Sequence, residues 1–383
     1  MSATTGNLDA PPRSRTRVLL TSTCYPRQPG DWQGQFIARM LTGLAARDDL
    51  SMSAWCPPGP RPANVAEALQ DGDATWFSQL AERGGLAHLL RKHPVAGLLQ
   101  GGQLLGRLRR ACRATAADLY HINWLQCALG LPEDGKPVLL TALGTDMQLL
   151  KLPLMQGLLA RRFRNRPVAL CPNAEWMTPV LGQMFAGHAR VQCVPFGIDQ
   201  PWYDTPRLTD PDHPSRWLCV TRLTAGKLGP LFEWAEPVFR DRHRELHLIG
   251  PRQDPALTIP HWVKWHGPAT PAQLRQDWFP TATGLLSLST HPEGRPQVML
   301  EAMAAGLPIL ASSNPAHLDL VDHRQTGWIC RDPASFTAGL DFVEDPARNS
   351  ALGANAREQA KQRFGTWADC AGRYAALYAD LCR

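Results

Sequence analysis

Two glutamates, Glu293 and Glu301, stand eight positions apart in the stretch Thr290 to Pro308, T-H-P-E-G-R-P-Q-V-M-L-E-A-M-A-A-G-L-P. Pro296 suits the first turn of a helix, because its missing N–H would have no partner there anyway. Residues 298–305 are strong helix formers, and Gly306 followed by Leu307-Pro308 stops them. Glu293 therefore falls in the loop before a helix N-terminus, and Glu301 falls inside the helix. The apolar run 284–288 ahead of them reads as a buried strand. A helix N-terminus after a strand presents free amides and the positive end of the dipole, so it takes anions. Two carboxylates beside an anion would repel it unless they bind hydroxyls next to it, and sugars and ribose carry such hydroxyls.

A second set lies in V-T-R-L-T-A-G-K, residues 220–227. Arg222 offers a planar fork and Lys227 a point charge, a combination that suits a diphosphate. Surface arginines and lysines are common, so this spacing alone says little. Beside the glutamates it describes a ligand with a diphosphate flanked by hydroxyls.

The elements that must position these residues alternate. Strands are expected near residues 17–24, 50–56, 118–122, 137–142, 167–171 and 191–194. Helical patterns lie between most of them, one at 35–46, and residues 60–116 look largely helical. Prolines then crowd the chain at Pro195, Pro201, Pro206, Pro211 and Pro214, which marks a linker. The alternation restarts with strands near 216–220, 245–249, 262–265, 284–288, 308–311 and 327–329. Such alternation predicts an α/β fold with parallel sheets covered on both faces. It implies two doubly wound domains across a cleft, with ligands at the carboxyl ends of the strands. The expected division is a disordered tail at 1–15, a first domain at 16–198 and a second at 199–365. A last helix, 366–383, carries an apolar stripe and must dock, with the first domain as its expected partner.

Composition narrows the class. The chain has 383 residues, 44% apolar and 19% charged, as in a globular protein with a real core. No run reaches the ~18 apolar residues of a membrane span. Residues 1–17 lack the apolar core of a signal peptide, so a cytoplasmic protein is expected. Ten cysteines include no C-x-x-C pair and read as buried thiols. Residues 1–200 hold 21 Lys and Arg against 14 Asp and Glu, and residues 201–383 hold 19 against 20. The basic excess sits at Arg107, Arg109, Arg110 and Arg113, and at Arg161, Arg162, Arg164 and Arg166, interleaved with leucines. Two readings remain open: an anionic membrane surface as partner, or a solvated basic face over a leucine core. No nucleic-acid partner is expected.

The motifs together resemble the retaining glycosyltransferases of the GT-B fold, in particular family 4 (glycosyl transferases group 1). Glu293 to Gly306 resembles E-G-x-x-x-x-x-x-E-A-M-A-x-G, and Thr221-Arg222-Leu223 with Lys227 resembles G-R-L…K. Val194 to Asp199 resembles V-P-N-G-V-D, Leu143 to Asp146 resembles H-G-[ST]-D, and His121 to Trp124 resembles H-x-H-W. The loop with Gly34 and Phe36 resembles the family's N-terminal glycine loop.

The resemblance implies two Rossmann-like domains, with a nucleotide sugar on the second and an acceptor on the first. It implies a metal-independent hexosyltransferase acting with retention, with no cofactor beyond the UDP- or GDP-sugar donor. The implied catalytic group is Glu293, Arg222, Lys227 and His121. Glu301, Gly34, Gln297, Val298 and Arg295 would bind the donor. Asp146, Trp124 and Asn173 would face a lipid-linked or glycan acceptor, in cell-surface polysaccharide or lipopolysaccharide synthesis on the inner face of the plasma membrane. The alternatives are a nucleotide-sugar-binding protein without transferase activity, or a nucleotide-sugar epimerase.

Three departures stand out. Leu143 replaces a histidine, Arg295-Pro296 replaces Phe-Gly, and Phe196 replaces an asparagine. Plainer roles also exist: His121 as a satisfied core histidine, Asp146 and Asn173 as helix caps, Gly34 as a turn former. Trp32 and Trp124 sit in loops where they could stack on a sugar.

Overall fold

The structure, a computed structural model, describes residues 15–28, 30, 31, 33–208, 214–240 and 243–383. The expected tail (all but its last residue), Trp32 and Pro211 lie outside them.

Two parallel sheets organise the chain. The first has seven strands in the order β3-β2-β1-β4-β5-β6-β7. They are β1 Thr16–Thr21, β2 Leu50–Trp55, β3 Ala66–Glu67, β4 Leu119–Asn123, β5 Val138–Ala142, β6 Val168–Pro172 and β7 Arg190–Val191. The second has six, in the order β10-β9-β8-β11-β12-β13: β8 Ser215–Val220, β9 Arg244–Ile249, β10 Lys264–Trp265, β11 Gly284–Ser287, β12 Ile309–Ser312 and β13 Gly327–Cys330. Every pairing between them is parallel. β4, β5 and β6 are buried at every position, as expected of strands covered by helices on both faces.

In each sheet the strand order reverses once, between β1 and β4 and between β8 and β11. At such a reversal the loops leave the carboxyl ends in opposite directions and open a crevice. Arg222 and Lys227 follow β8, and Glu293 follows β11, so the second crevice collects all three.

The chain crosses between the sheets twice, side by side. Ile198 bridges Thr366, and the Ile198 amide donates to the Gly365 carbonyl at 3.0 Å. After the second crossing comes the Trp367–Leu381 helix, opened by a capping box of Thr366 and Asp369. Its Trp367, Cys370, Tyr374, Leu377 and Tyr378 share one buried cluster with Leu20, Ile37, Leu41 and Leu139. The last helix thus completes the core of the first domain. Among the described residues no helix is long and apolar enough to cross a membrane.

Candidate active site

A cavity of about 930 Å³ lies between the two domains. Its second-domain wall is formed by the loop after β8 (Thr221, Arg222, Lys227), the loop after β11 (Ser289 to Gly294) and the start of the Gln297–Ala304 helix, with Glu301 one turn in. Its first-domain wall is formed by Gln35, Phe36 and Arg39 of the Gln35–Ala45 helix, together with Leu143, Thr145 and Asn173.

Lys227 is placed by a short helix, Ala225–Leu228, capped by the Thr224 hydroxyl accepting from the Lys227 amide. Its Nζ pairs with Glu293 Oε2 at 2.7 Å. Burial would raise the Glu293 pKa, but the Lys227 charge and hydrogen bond outweigh it, with help from Ser289 and His317. Glu293 therefore stays below the ordinary carboxylate range and ionised. His317 lies fully buried below it, between Ser287 and Ser312. Burial pulls its pKa down to about 4, so this imidazole is neutral near pH 7. An ammonium has three donors. Glu293 occupies one direction and fixes the charge beside the cavity.

Gln297 and Val298 are the first two residues of their helix, so their amides have no acceptor within it. Pro296 precedes them as the N-cap, with φ −67° and ψ 115°. These amides, Lys227 and Arg222 border the same space.

Glu301 is the second carboxylate of the cavity. Burial, and then Asp199, push its pKa up to about 8, opposed by Arg39. Asp199 is itself raised by burial, against the pull of Arg39 and Arg275. Arg39 reaches across from the first domain to pair with Asp199 at 3.0 Å. The two acidic groups of the site are thus set apart by their surroundings: Glu293 is ionised and Glu301 is protonated near neutral pH.

The domains touch at the glutamate loop. A Cβ on Gly144 would lie 2.1 Å from the Gly294 amide nitrogen. The Trp176 indole N–H donates to the Gly294 carbonyl at 3.0 Å, and the Glu175 amide donates to Asp319 at 2.9 Å. Asn173 Oδ1 is buried there with no hydrogen-bond partner among the described residues.

Several expected site residues stand elsewhere. His121 is fully buried in β4 and does not line the cavity. Its Nδ1 is 2.6 Å from the Tyr378 hydroxyl and its Nε2 is 2.7 Å from the Thr141 hydroxyl. Burial lowers its pKa to about 3, so it is a neutral strut between the sheet and the last helix. Replacing His121 with Phe is expected to cost about 1–3 kcal/mol of stability, because two buried hydroxyls lose their partner. Urea unfolding measures that loss, and any transfer activity of the surviving folded protein should change little.

Asp146 is likewise buried, and accepts from the Leu125 and Leu143 amides. Burial raises its pKa to about 7 against those bonds. It shapes the turn after β5 and does not contact the cavity. Trp124 stands edge-on to Phe36 at 6.3 Å, behind the cavity wall. Gly34 caps the Gln35–Ala45 helix at φ 74°, and a Cβ there would meet Tyr25 backbone at 2.7 Å. It serves chain packing, while Gln35 and Phe36 beside it face the cavity. Arg295 contributes backbone to the wall, but its side chain turns inward to Asp319 at 2.5 Å and lies over Phe364 at 4.8 Å. It braces the glutamate loop and adds no charge to the cavity. Arg39, Asp199 and His317 escaped sequence reasoning. Only Asp199 lay in a motif, and nothing local marked the other two.

Comparison with known proteins meets this geometry. Residues 215–343 match the family model described as glycosyl transferases group 1. That stretch, about a third of the chain, is similar to the group 1 glycosyltransferases. Among curated members, D-inositol 3-phosphate glycosyltransferase of Streptomyces avermitilis is 34% identical over 125 residues, 32% of this chain and 26% of that protein. The matched stretch thus spans about a quarter of that relative. Solved structures, two of which follow, cover nearly the whole chain. Sucrose-phosphate synthase of Thermosynechococcus elongatus has a TM-score of 0.71 at 16% identity, over 96% of this chain and 99% of that one. HepE of Anabaena, solved in complex with UDP-glucose, has a TM-score of 0.63 at 15% identity, over 96% and 100%. The fold is GT-B, with two Rossmann-like domains facing each other across a cleft. The matched region holds the second-domain wall, Arg222 to Glu301.

Proposed function

We propose that the protein transfers a hexose from a UDP- or GDP-sugar to a lipid-linked or polysaccharide acceptor, with retention and without a metal. One observation carries this: Lys227, Arg222, the Gln297 and Val298 amides, Glu293 and Glu301 all line one interdomain cavity. The HepE complex holds UDP-glucose, which favours a nucleotide sugar as the donor here.

In the proposed reaction the diphosphate lies against Lys227, Arg222 and the helix amides. Glu301 takes the ribose hydroxyls and Glu293 a hydroxyl of the sugar. The acceptor oxygen forms its bond to the anomeric carbon while the bond to the diphosphate oxygen breaks. The acceptor proton passes to the departing phosphate on the same face. Preorganised positive charge at the leaving group is the main accelerating factor. The pathway is proposed to be cell-surface polysaccharide or lipopolysaccharide synthesis, and the basic, leucine-bearing first domain favours a peripheral site on the inner face of the plasma membrane.

The test is a thermal-shift screen of UDP- and GDP-sugars, followed by slow donor hydrolysis, since a ligand bound only to the folded state raises Tm. Glu301 adds a pH signature. Its pKa is raised, so charging it works against the fold as pH climbs from the unfolded value towards about 8. Ribose hydroxyls favour the carboxylate, so donor binding releases a proton. Donor affinity should therefore rise with pH up to about 8, and flatten in Glu301→Gln. Absence of any shift with both nucleotide classes would sink the reading. Tight donor binding with no transfer to any acceptor would favour a binding protein. A changed free sugar would favour an epimerase.

A further inference from the structure

A second cavity, of about 520 Å³, lies on the outer side of the first domain. Its walls are Gly102, Leu105, Gly106 and Arg109 of the Pro94–Ala114 helix, and Leu158, Arg161 and Arg162 of the Met155–Phe163 helix, with Leu129 between them. A Cβ on Gly102 or Gly106 would meet nothing within 4 Å. These glycines therefore leave the groove open where side chains would fill it.

The surroundings of this groove are polarised. At or just before the N-terminal ends of its two helices stand large apolar side chains that are mostly exposed: Val95 at 73% exposure, Leu98 at 70% and Leu99 at 66% on one, and Leu154 at 81% ahead of the other. Toward the C-terminal ends of the same helices, three arginines line the cavity. Arg109 leans on the Leu129 and Gly130 carbonyls at 3.4 Å, and Arg162 pairs with Glu133 at 3.0 Å. Arg161 is exposed at the rim. Water solvates the arginines well but gains nothing from four bare apolar side chains. A surface that carries phosphate at one depth and hydrocarbon just below it satisfies both.

We infer that this face docks on an anionic lipid bilayer, with one phospholipid phosphate seated among Arg109, Arg161 and Arg162 and the exposed leucines entering the acyl boundary. This deepens the proposed lipid-side reading of the acceptor and rests on it. The cleft is near: the charge of Arg91, in the Leu86–Lys92 helix that precedes the docking helix, bears on His291 at the cavity wall. A docked first domain therefore holds the cleft beside the headgroup layer, where a lipid-linked acceptor presents its sugar.

The full chain is sedimented with phosphatidylcholine vesicles, with and without phosphatidylglycerol. Wild type should partition onto the anionic vesicles only, and lose that binding in high salt. Arg109→Gln with Arg161→Gln should lower partitioning on the order of thirtyfold, two cations' share. Leu98→Ser with Leu99→Ser should lower it as well. Both variants should keep the wild-type donor thermal shift, which shows them folded. Equal sedimentation of variants and wild type overturns the docking surface. So does stabilisation by inorganic phosphate, absent in the arginine variant, in a protein that ignores vesicles, for that marks a free-anion site. Vesicle binding without any donor shift upholds the surface and defeats the transfer reading instead.

Discussion

Lys227→Ala should lower kcat/KM by about a hundredfold to a thousandfold, the usual cost of removing one preorganised charge from a developing oxyanion. The loss should fall mainly on kcat, because charge on the leaving phosphate grows as its bond breaks. A second effect follows from the 2.7 Å pair. Without the ammonium, burial is opposed only by the weaker pulls of Ser289 and His317, so the Glu293 pKa should move upward from its present position. The stability that ionised Glu293 contributes above its unfolded pKa, and that native protein loses as pH falls through the folded value, should shrink in the variant. Steady-state kinetics and pH-dependent unfolding measure the two effects separately. Because the partners act as a unit, Lys227→Ala with Glu293→Ala should cost much less than the sum of the single changes. A change in kcat/KM below threefold would remove Lys227 from the reaction.

Gly144→Ala should reduce transfer about a hundredfold while leaving donor affinity within a fewfold of wild type. Gly144 sits at φ 89°, where an alanine is strained, and its new Cβ would fall 2.1 Å from the Gly294 nitrogen. Backbone cannot yield there as a flexible side chain would. The methyl must push the loop after β5 away from the loop that carries Glu293. A displacement of about an ångström between reacting groups costs on that order. In the proposed binding mode the donor's contacts come mostly from the second domain, so its affinity should survive. Calorimetric donor binding alongside single-turnover transfer tests the split; equal losses in both would mean that the variant fails to fold.

Most of the two sheets was legible because the longer buried parallel strands read as apolar runs of four to six residues, each ended by turn residues, whereas β3, an exposed pair at 66–67, fell in a stretch expected to be largely helical. The second-domain site was legible for the same reason: Arg222, Lys227 and Glu293 are charges placed directly after such runs, where a strand end and a helix start must meet. Three expected site residues misled for one physical cause. His121, Asp146 and Arg295 carry polar groups that look free in sequence, yet their partners are Tyr378, the Leu125 and Leu143 amides, and Asp319. Tyr378 is 257 residues from His121, and no local pattern reports such a partner. Arg39 was invisible in the opposite sense. It reads as an ordinary charge on a helix, and only the return of the chain brings Asp199 to it.

The Trp367–Leu381 helix has a consequence for biogenesis. Its Trp367, Tyr374 and Tyr378 are walls of the interior that β1, β4, β5 and β6 begin. During synthesis the amino-terminal sheet must wait, with Leu139, Ile37 and Leu41 uncovered, while the entire carboxyl-terminal domain emerges and folds. Only when residues 367–378 clear the ribosome can it close. The order in which the ribosome delivers the two halves is thus the reverse of the order in which they can be finished, and the earlier half is the one that chaperones would be expected to hold.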